Sequence, residues 1–295
     1  MHEFRKLDAH KICGIVTIYS PIISHIDNIK SYIDFIDRLY VVDNSSTPDE
    51  NIHVEILRKY PTAEILSYGK NIGIAAALNL GIKKGLENNY SWLLTMDQDS
   101  CFDSFQIERF FDSLAFIDPR RTAILSPAHE VTADNAVGIC VYEKKDEVMT
   151  SGNLLNLRLT GKIGLFNEEL FIDSVDHDYC LRANLLGLDI LQAVNCFIRH
   201  TVGEVYSGSF LFGMKRKTFY IHSPERMYFI VRNSLYLSKK YGKDFPVYIK
   251  QHRKFINLKI SQCIRYSDER RIYLRFIFKA YCDFFRNKYG NRVNI

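Results

Sequence analysis

The cysteines of this 295-residue chain lack any pairing pattern. All seven are scattered, with no C-x-x-C spacing and no regular framework. A disulfide scaffold or a cysteine-rich zinc site needs such spacing, so the sequence favours reduced, mostly buried thiols of the kind found in cytosolic proteins. An isolated redox or metal role for a single cysteine stays open.

Long apolar runs are absent as well. No uninterrupted stretch reaches the roughly 18 to 20 residues of a membrane span. The opening segment, MHEFRKLDAHKICGIVTIYSP, has neither the long apolar core nor the small-residue cleavage site of a signal peptide. We therefore expect the chain to stay in the cytosol.

Two familiar nucleotide-binding patterns are missing, the P-loop and G-x-G-x-x-G. A weaker signal occurs in YGKNIGIAAALNLGI, where Gly73 would let the backbone approach a ligand closely. A helix that begins there would favour phosphate at its N-terminus. On its own, this pattern is weak evidence for a phosphate-binding site.

The composition is that of a folded globular protein, with 47% hydrophobic and 25% charged residues. The length suits one large domain with an appendage, or two domains. The net charge of +5 conceals an asymmetry, because residues 215–295 hold 20 Lys and Arg against 5 Asp and Glu, whereas residues 1–214 hold 19 against 29. The basic character therefore belongs to the C-terminal part.

Short apolar runs alternate with longer periodic segments between residues 12 and 100. The predicted strands are ICGIVTIY, RLYVVDNS, AEILSYG and SWLLTMD, and the predicted helices are HIDNIKSYIDFI, ENIHVEILRKY and IAAALNLGIKKGLEN. Strands rich in β-branched residues that alternate with helices indicate a parallel sheet covered on both faces. We therefore predict a Rossmann-like α/β unit.

The pattern changes further along the chain. TAILSPAH, GICVYEKK and EVMTSGNLLNLRL are predicted strands of a mixed sheet, followed by a helix that ends near Gly187 and a strand that ends near His200. After residue 215 the sequence becomes helical, aromatic and basic. We therefore divide the chain into an α/β domain at residues 1–215 and a helical, basic region at 216–295.

Polar residues follow three of the predicted strands where each one ends. They are Tyr19 and Ser20, then Asp43, Asn44 and Ser45, then Asp97, Gln98 and Asp99. In doubly wound sheets, ligands bind beyond the carboxyl ends of the strands. We therefore expect these residues to line one crevice.

Asp97 and Asp99 form an Asp-x-Asp pair directly after a buried strand. Two such carboxylates help to bind Mg²⁺ or Mn²⁺, while water and substrate phosphates complete the coordination. His200, at the end of a later strand, could supply an imidazole to the same ion. A turn with helix-capping aspartates and a merely hydrogen-bonded histidine are the structural alternatives.

Three carboxylates cluster in FIDSVDHDYCLRA, those of Asp173, Asp176 and Asp178. Asp178 and Arg182 have the i,i+4 spacing of an ion pair on a helix. A general base needs an unpaired carboxylate that faces a substrate hydroxyl, and Asp176 is the better candidate because Arg182 does not neutralise it. The structural alternative is a helix cap combined with an ion pair.

Taken in order, these motifs resemble those of glycosyltransferase family 2, inverting enzymes with a GT-A fold, and especially its bacterial rhamnosyltransferase-like branch. The motifs that carry the resemblance, spread over residues 12–235, are TIYSP, VVDNSS, KNIGIAAALNLG, MDQDS, TSGNLL, FIDSVDHDYCLRA, RHTVG and HSPERMYFIVRN. Two departures occur. Ile18 and Ser20 replace residues of the usual Thr-Tyr-Asn-Pro, and Val175 replaces the usual Glu before Asp176.

The resemblance implies a nucleotide-sugar site at the first strand ends. Asp43 would hydrogen-bond the pyrimidine base, with Tyr19 and Asn44 nearby. Asn71 and Gly73 would lie along the nucleotide.

The resemblance also implies the catalytic groups. Asp97 and Asp99 would bind Mg²⁺ or Mn²⁺ at the donor diphosphate, with His200 as the third ligand. Asp176 would be the base that deprotonates the acceptor hydroxyl. The implied function is transfer of L-rhamnose from dTDP-L-rhamnose to a lipid-linked oligosaccharide precursor of a surface polysaccharide. A UDP-hexose transferase and a non-catalytic nucleotide-sugar-binding protein are the alternatives.

The segment RRIYLRFIFKAYCDFFRNK, residues 270–288, combines apolar residues at helical spacing with a wedge of basic ones. The apolar set is Leu274, Ile277, Phe278, Tyr281, Phe284 and Phe285, and the basic set is Arg271, Arg275, Lys279 and Arg286. Such a helix suits the cytoplasmic face of the inner membrane as a peripheral protein. Packing on the α/β domain or on a second copy, in a homo-oligomer, is the alternative. No nucleic-acid partner is expected, because no reading motif accompanies the charge.

Overall fold

A computed structural model describes residues 11–129, 139–200, 205–209, 216–220 and 222–292, of which 205–209 and 216–220 are described by their backbone alone. The described residues form one mixed sheet of nine strands and a separate two-stranded sheet. The strands of the large sheet are β1 (Ile12–Ile18), β2 (Arg38–Asp43), β3 (Ala63–Ser67), β4 (Trp92–Asp97), β5 (Ser100–Phe102), β6 (Thr122–Ala128), β7 (Tyr142–Lys144), β8 (Asn153–Asn156) and β9 (Asp189–His200). The small sheet pairs β10 (Val205–Ser209) with β11 (Arg216–Tyr220).

The helices cover the sheet and then continue into the C-terminal region. They are α1 (Ile23–Asn28), α2 (Glu50–Lys59), α3 (Ile74–Glu87), α4 (Ser104–Asp112), α5 (Thr160–Ile163), α6 (Val175–Leu185), α7 (Pro224–Tyr241), α8 (Pro246–Tyr266) and α9 (Arg270–Phe285). Short 3-10 turns link several of them.

The first four strands of the large sheet run parallel, in the order β3-β2-β1-β4. β1 is buried along its whole length, because helices lie on both faces of the sheet. One apolar cluster includes Ile52 of α2 and Phe110 of α4, and the other includes Ala77 and Ile82 of α3. The predicted Rossmann-like unit is confirmed.

The second half of the sheet is mixed, as predicted. β8 runs antiparallel to β4 and β6, while β9 runs parallel to β6 and antiparallel to β5 and β7. The prediction of a single strand over residues 147–159 is wrong in extent, because only Asn153–Asn156 is extended. Asn156 ends that strand by accepting a hydrogen bond from Arg158 N, which begins a helical turn.

The predicted helix over residues 25–36 is largely absent. Six residues of α1 are followed by two 3-10 turns. Isoleucines supply the apolar spacing but are weak helix formers. At the end of α1, the side chain of Asn28 donates to Gln98 O at 2.8 Å and Ser31 Oγ donates to Asn28 O at 2.7 Å, and such bonds compete with helix formation.

The C-terminal helices pack against the α/β domain. Phe171, which precedes α6, shares an apolar cluster with Phe229 of α7 and with Tyr273 and Phe276 of α9. The predicted boundary at 215/216 thus falls before helices that pack on the first half, and β11 begins the second part where a helical pattern was expected. Within the described ranges, no helix is both long enough and apolar enough to span a bilayer.

Candidate active site

The carboxyl ends of the central strands lie side by side. In the β-ladder, Thr17 is paired with Asp97 and Ile18 with Asp43, so the polar residues that follow β1, β2 and β4 share one edge of the sheet. Two hydrogen bonds link the backbone of Tyr19 to the side chain of Gln98 in the loop after β4. Tyr19 N donates to Gln98 Oε1 at 2.8 Å, and Gln98 Nε2 donates to Tyr19 O at 3.2 Å.

The residues assigned to the nucleotide differ in their access to solvent. Tyr19 is 53% exposed, whereas Asp43 and Asn44 are buried. Asp43 accepts from Ser45 N at 2.8 Å and lies 2.7 Å from His53 Nε2, so both of its carboxylate oxygens have partners within the chain. Its contact with a nucleotide base stays a prediction.

Gly73 begins α3 with a φ of 86°, in the region that favours glycine. A Cβ atom there would lie 2.8 Å from the carbonyl oxygen of Phe171. The same carbonyl accepts from Ile74 N at 2.8 Å and Ala75 N at 3.4 Å, so the first amides of α3 already have an acceptor. Asn71 accepts from Gly73 N at 2.9 Å. Phosphate binding at this helix end therefore gains no support, and the nucleotide contacts of Asn71 and Gly73 stay predictions.

Asp97, Asp99 and His200 come together in the structure. One ligand atom from each lies within 4.8 Å of the others. The pairing of β5 with β9 explains this, since Ser100 is directly opposite His200. Ser100 Oγ lies 2.9 Å from His200 Nδ1, which orients the imidazole beside the Asp-x-Asp pair.

The charge and bonding of this triad fit a divalent cation. Burial, followed by the nearby charge of Asp99, raises the pKa of Asp97 to about 6. Asp99 Oδ1 is buried and accepts no hydrogen bond from the described residues, although His200 Nδ1 lies 3.3 Å away. Two carboxylates and an imidazole match the oxygen and nitrogen ligands that Mn²⁺ takes, and Mg²⁺ suits the carboxylates.

Asp176 lies in the first turn of α6, after a strained loop. Phe171, Asp173 and Ser174 all have φ between 62° and 65°, which is costly for residues other than glycine. Helix α7 stabilises this loop, because the buried side chain of Asn233 donates to Leu170 O, Ile172 O and Asp173 O at 2.8 to 2.9 Å. The loop geometry that orients Asp176 therefore depends on the C-terminal helices.

Asp176 makes only light contacts with its neighbours. Its Oδ1 accepts from His177 N at 2.9 Å and its Oδ2 from Thr150 Oγ1 at 3.4 Å. Burial raises its pKa, and the positive charge of His177 opposes that rise. Burial alone would lower the pKa of His177, but Asp176 and Glu147 raise it to about 9, so this imidazole is charged at neutral pH.

Asp178 has the structural role predicted for it. It is buried and pairs with Arg182 Nε at 3.0 Å, with further hydrogen bonds from Tyr241 Oη at 2.7 Å and Lys240 Nζ at 2.8 Å. Arg182 makes no contact of this kind with Asp176. Asp176, unlike Asp178, has no lysine or arginine ion-pair partner among the described residues, so the choice of Asp176 is consistent with the geometry, and its catalytic role stays a prediction.

The segment Thr150–Ser151 links the two ends of the site, and sequence reasoning assigned it no role. Ser151 Oγ accepts from Asp97 N at 3.1 Å, while Thr150 donates to Asp176. The presence of TSGNLL among the motifs that carry the resemblance was the only available signal.

Arg226, at the start of α7, was also missed. Its guanidinium makes two contacts of 3.2 Å with the carboxylate of Asp173, and its positive charge acts on Asp97 and Asp99. Arg226 thus places a positive charge near Asp97 and Asp99, where a bound diphosphate would need a counter-charge. Its position in HSPERMYFIVRN was the only signal in the sequence.

The mixed sheet, with an acidic pair after β4 and a carboxylate at the start of α6, has the GT-A fold of glycosyltransferases. Residues 22–124 match the family described as Glycosyl transferase family 2. The resemblance inferred from the motifs is therefore confirmed.

One curated relative and one solved structure illustrate the likeness. The dTDP-rhamnosyl transferase RfbF of Shigella flexneri is 27% identical over 194 residues, which cover 60% of this chain and 63% of that protein. The chain thus spans less than two thirds of this relative. GalNAc-T7 with UDP, GalNAc and Mn²⁺ has a TM-score of 0.60 at 11% identity, over 96% of this chain and 58% of that chain. This second likeness concerns the fold alone.

Proposed function

We propose that this protein is a metal-dependent inverting glycosyltransferase that transfers L-rhamnose from dTDP-L-rhamnose to a hydroxyl of a lipid-linked oligosaccharide. The observation that carries the transferase proposal is the convergence of Asp97, Asp99 and His200 at one side of the crevice with Asp176, whose charge also acts on Asp97, at the other. A GT-A fold with a family 2 domain supports the same chemistry.

In the proposed reaction, Asp97, Asp99 and His200 would bind Mg²⁺ or Mn²⁺, and the bound ion would neutralise charge on the leaving diphosphate. Asp176 takes the proton of the acceptor hydroxyl as that oxygen bonds to the anomeric carbon. The bond between the anomeric carbon and the diphosphate oxygen breaks in the same step, and the nucleoside diphosphate leaves from the opposite face. One displacement of this kind inverts the anomeric configuration.

The raised pKa of Asp176 favours this role, because a carboxylate with a higher pKa takes up a proton more readily. The positive charge of His177 beside it opposes that rise in pKa and so favours the ionised carboxylate. Arg226 pairs with Asp173, and its guanidinium also interacts with the charges of Asp97 and Asp99, so it would lie near a donor diphosphate bound at the metal site.

The choice of sugar rests on the curated relative, which is named as a dTDP-rhamnosyl transferase. A UDP-hexose donor is the competing reading, since the structural neighbour contains UDP and GalNAc. Thermal-shift titrations with dTDP-L-rhamnose, UDP-galactose and UDP-glucose in Mn²⁺ distinguish the two. Stabilisation by UDP sugars alone would overturn the rhamnose assignment.

Replacement of the base tests the transferase proposal. Asp176→Asn keeps the shape of the side chain and its acceptor for His177 N, while its amide nitrogen would donate to Thr150 Oγ1 where the carboxylate accepts. We therefore expect donor binding to survive while transfer falls by about 100- to 10,000-fold. Asp34→Asn, the same change at an exposed position, serves as the control. Near-normal transfer by Asp176→Asn would remove Asp176 from the mechanism, and absence of transfer or donor hydrolysis by the unaltered protein would favour a non-catalytic binding protein.

We also propose that the protein associates peripherally with the cytoplasmic face of a membrane through α9. One face of this helix, with Tyr273, Phe276 and Ala280, packs on α7 and α8, so part of its apolar surface is already covered. A second apolar stripe stays exposed at i, i+4, i+7 and i+11 spacing. Its members are Leu274, Phe278, Tyr281 and Phe285. The basic residues of α9 lie next to it on the helical wheel.

Charge complementarity identifies the surface that would cover this stripe. Exposed Arg271 and Arg275 flank this apolar stripe, in which the side chains of Phe278 and Phe285 are 71% and 75% exposed. Anionic lipid headgroups attract such arginines while the rings enter the acyl boundary. An acceptor linked to a lipid would be reached from the same surface.

Vesicle binding tests the membrane proposal. We expect co-sedimentation with phosphatidylglycerol vesicles but not with pure phosphatidylcholine, and about tenfold or greater loss for Phe278→Ser/Phe285→Ser. Val54→Ser alters an equally exposed apolar residue, at 65%, on α2. Unchanged vesicle binding by the double variant would rule out the stripe, and a dimer that this variant dissociates would assign it to a second copy instead.

A further inference from the structure

A cavity of about 480 Å³ lies between the loop that precedes α6 and the C-terminal helix α8. Its walls include Asp173 and His177 on one side and Tyr248, His252 and Phe255 on the other. This volume is within the range of roughly 300 to 1,000 Å³ for small-molecule sites. It is large enough for a sugar unit.

The cavity lies next to the proposed base. His177 follows Asp176 directly in α6, and its Nε2 atom is 3.9 Å from Asp176 Oδ1. Asp173, another wall residue, pairs with Arg226, whose charge acts on Asp97 and Asp99. The cavity therefore adjoins the side of the site where an accepting hydroxyl must arrive.

The carboxylates in the walls are already neutralised. Glu147 lies 2.9 Å from the imidazole of the charged His177, and Asp173 is paired with Arg226. Lys259 lies 3.1 Å from His222 Nε2 and adds a donor. Paired charges of this kind suit a neutral ligand with many hydroxyl groups better than a highly charged one.

One wall atom has no partner. The Nε2 atom of His252 is buried and makes no hydrogen bond with any described residue. Burial lowers the pKa of His252 to about 4, so its imidazole is neutral and can donate or accept one hydrogen bond through this atom. A buried polar atom without a partner is costly, and a ligand hydroxyl in the cavity would satisfy it.

We infer that this cavity binds the acceptor sugar, the one whose hydroxyl attacks the donor, and that α8 supplies its selective wall. His252 hydrogen-bonds a hydroxyl of that sugar, while the rings of Tyr248 and Phe255 pack against its apolar face. The C-terminal helices thus determine which acceptor is used. This assignment rests on the proposed transferase function and specifies its second substrate.

Ligand-observed NMR with three probes, the octyl glycosides of α-L-rhamnose, β-D-glucose and β-D-N-acetylglucosamine, tests the assignment without requiring turnover. We expect at least one probe to bind, and His252→Ala or Phe255→Ala to weaken that binding about tenfold, the order of a lost hydrogen bond or packing contact. His252→Gln, which keeps a hydrogen-bonding group, restores part of it. Leu258→Ala is the matched control, since Leu258 is 56% exposed and Phe255 54%, and only Phe255 lines the cavity.

The outcomes separate this inference from the proposed function. The acceptor assignment is overturned if no probe binds the unaltered protein, or if Leu258→Ala weakens binding as much as Phe255→Ala does. Titration with dTDP in Mn²⁺ reports on the donor site independently. Loss of dTDP binding and of all transfer in the unaltered protein would instead contradict the transferase proposal.

Discussion

The two ends of the candidate site are built in different ways. Asp97 and Asp99 are positioned by strand register, since β4 pairs with β1 and β5 with β9. Asp176 is positioned by a loop with three strained residues, which α7 stabilises from the other half of the chain. The end with Asp97 and Asp99 is thus specified by strand pairing, whereas the end with Asp176 depends on side-chain hydrogen bonds from a residue about 60 positions away.

Of the variants Asp99→Asn, Asn233→Ala and His177→Gln, we expect the first, at the strand-built end, to have the largest effect on transfer. Asp99→Asn removes one of two adjacent carboxylates and leaves the register intact, so we expect transfer to fall about 100- to 1,000-fold with an unchanged melting temperature. The Mn²⁺ dependence of dTDP binding should weaken in the same thermal-shift experiment. Asp112→Asn, at an exposed position, is the control. A marked loss of stability in Asp99→Asn would show that this end is not independent of its surroundings.

At the loop-built end, a residue far from the chemistry should matter almost as much. Asn233→Ala removes the side-chain donor of Ile172 O and Asp173 O, while Leu170 O keeps a second donor, Arg232 Nη2 at 3.1 Å. We therefore expect about 3 kcal/mol less stability and a large loss of transfer. Urea unfolding and initial rates measure the two effects. Asn257→Ala, an exposed asparagine of α8, should change neither. Full transfer by Asn233→Ala would mean that the loop keeps its shape without α7.

The smallest expected effect on transfer is that of His177→Gln, which changes the electrostatic environment of Asp176. His177 is charged at neutral pH and lowers the pKa of Asp176 against the effect of burial. His177→Gln removes that charge, so the pKa of Asp176 rises and more of the base is protonated at a given pH. We therefore expect the acidic limb of the profile of kcat/KM against pH to move to higher pH. An unmoved limb would exclude Asp176 as the titrating base.

The same contrast explains what the sequence could predict. The strands of the first half and the Asp97, Asp99 and His200 group follow from local patterns and the ordered motifs, because β-strand ends in such a sheet share one edge. The helix predicted over residues 25–36 is largely absent because isoleucines at helical spacing also suit short turns packed on a core. The tail stripe at Phe278 and Phe285 was recognised as apolar, but only packing separates the buried face of α9 from the exposed one.

The rest required contacts between distant segments. Arg226 becomes part of the site through its pair with Asp173, and His252 through the cavity against α6, and neither contact has a signal in local periodicity. The sequence also gave no sign that both carboxylate oxygens of Asp43 have partners within the chain, Ser45 N and His53 Nε2. Hydrogen bonds across 50 or more positions are set by tertiary packing, which a single sequence does not display.

The close approach of Gly73 to Phe171 has a consequence for how the sequence can vary. A side chain at position 73 would meet the backbone oxygen of Phe171 and not merely its ring, so trimming the ring would not make room. That oxygen also accepts hydrogen bonds from the first amides of α3. The start of α3 and the loop before Asp176 are therefore directly linked and should move together. Saturation mutagenesis should therefore find that position 73 accepts no side chain, and a shift of the start of α3 should also displace the loop before the proposed base.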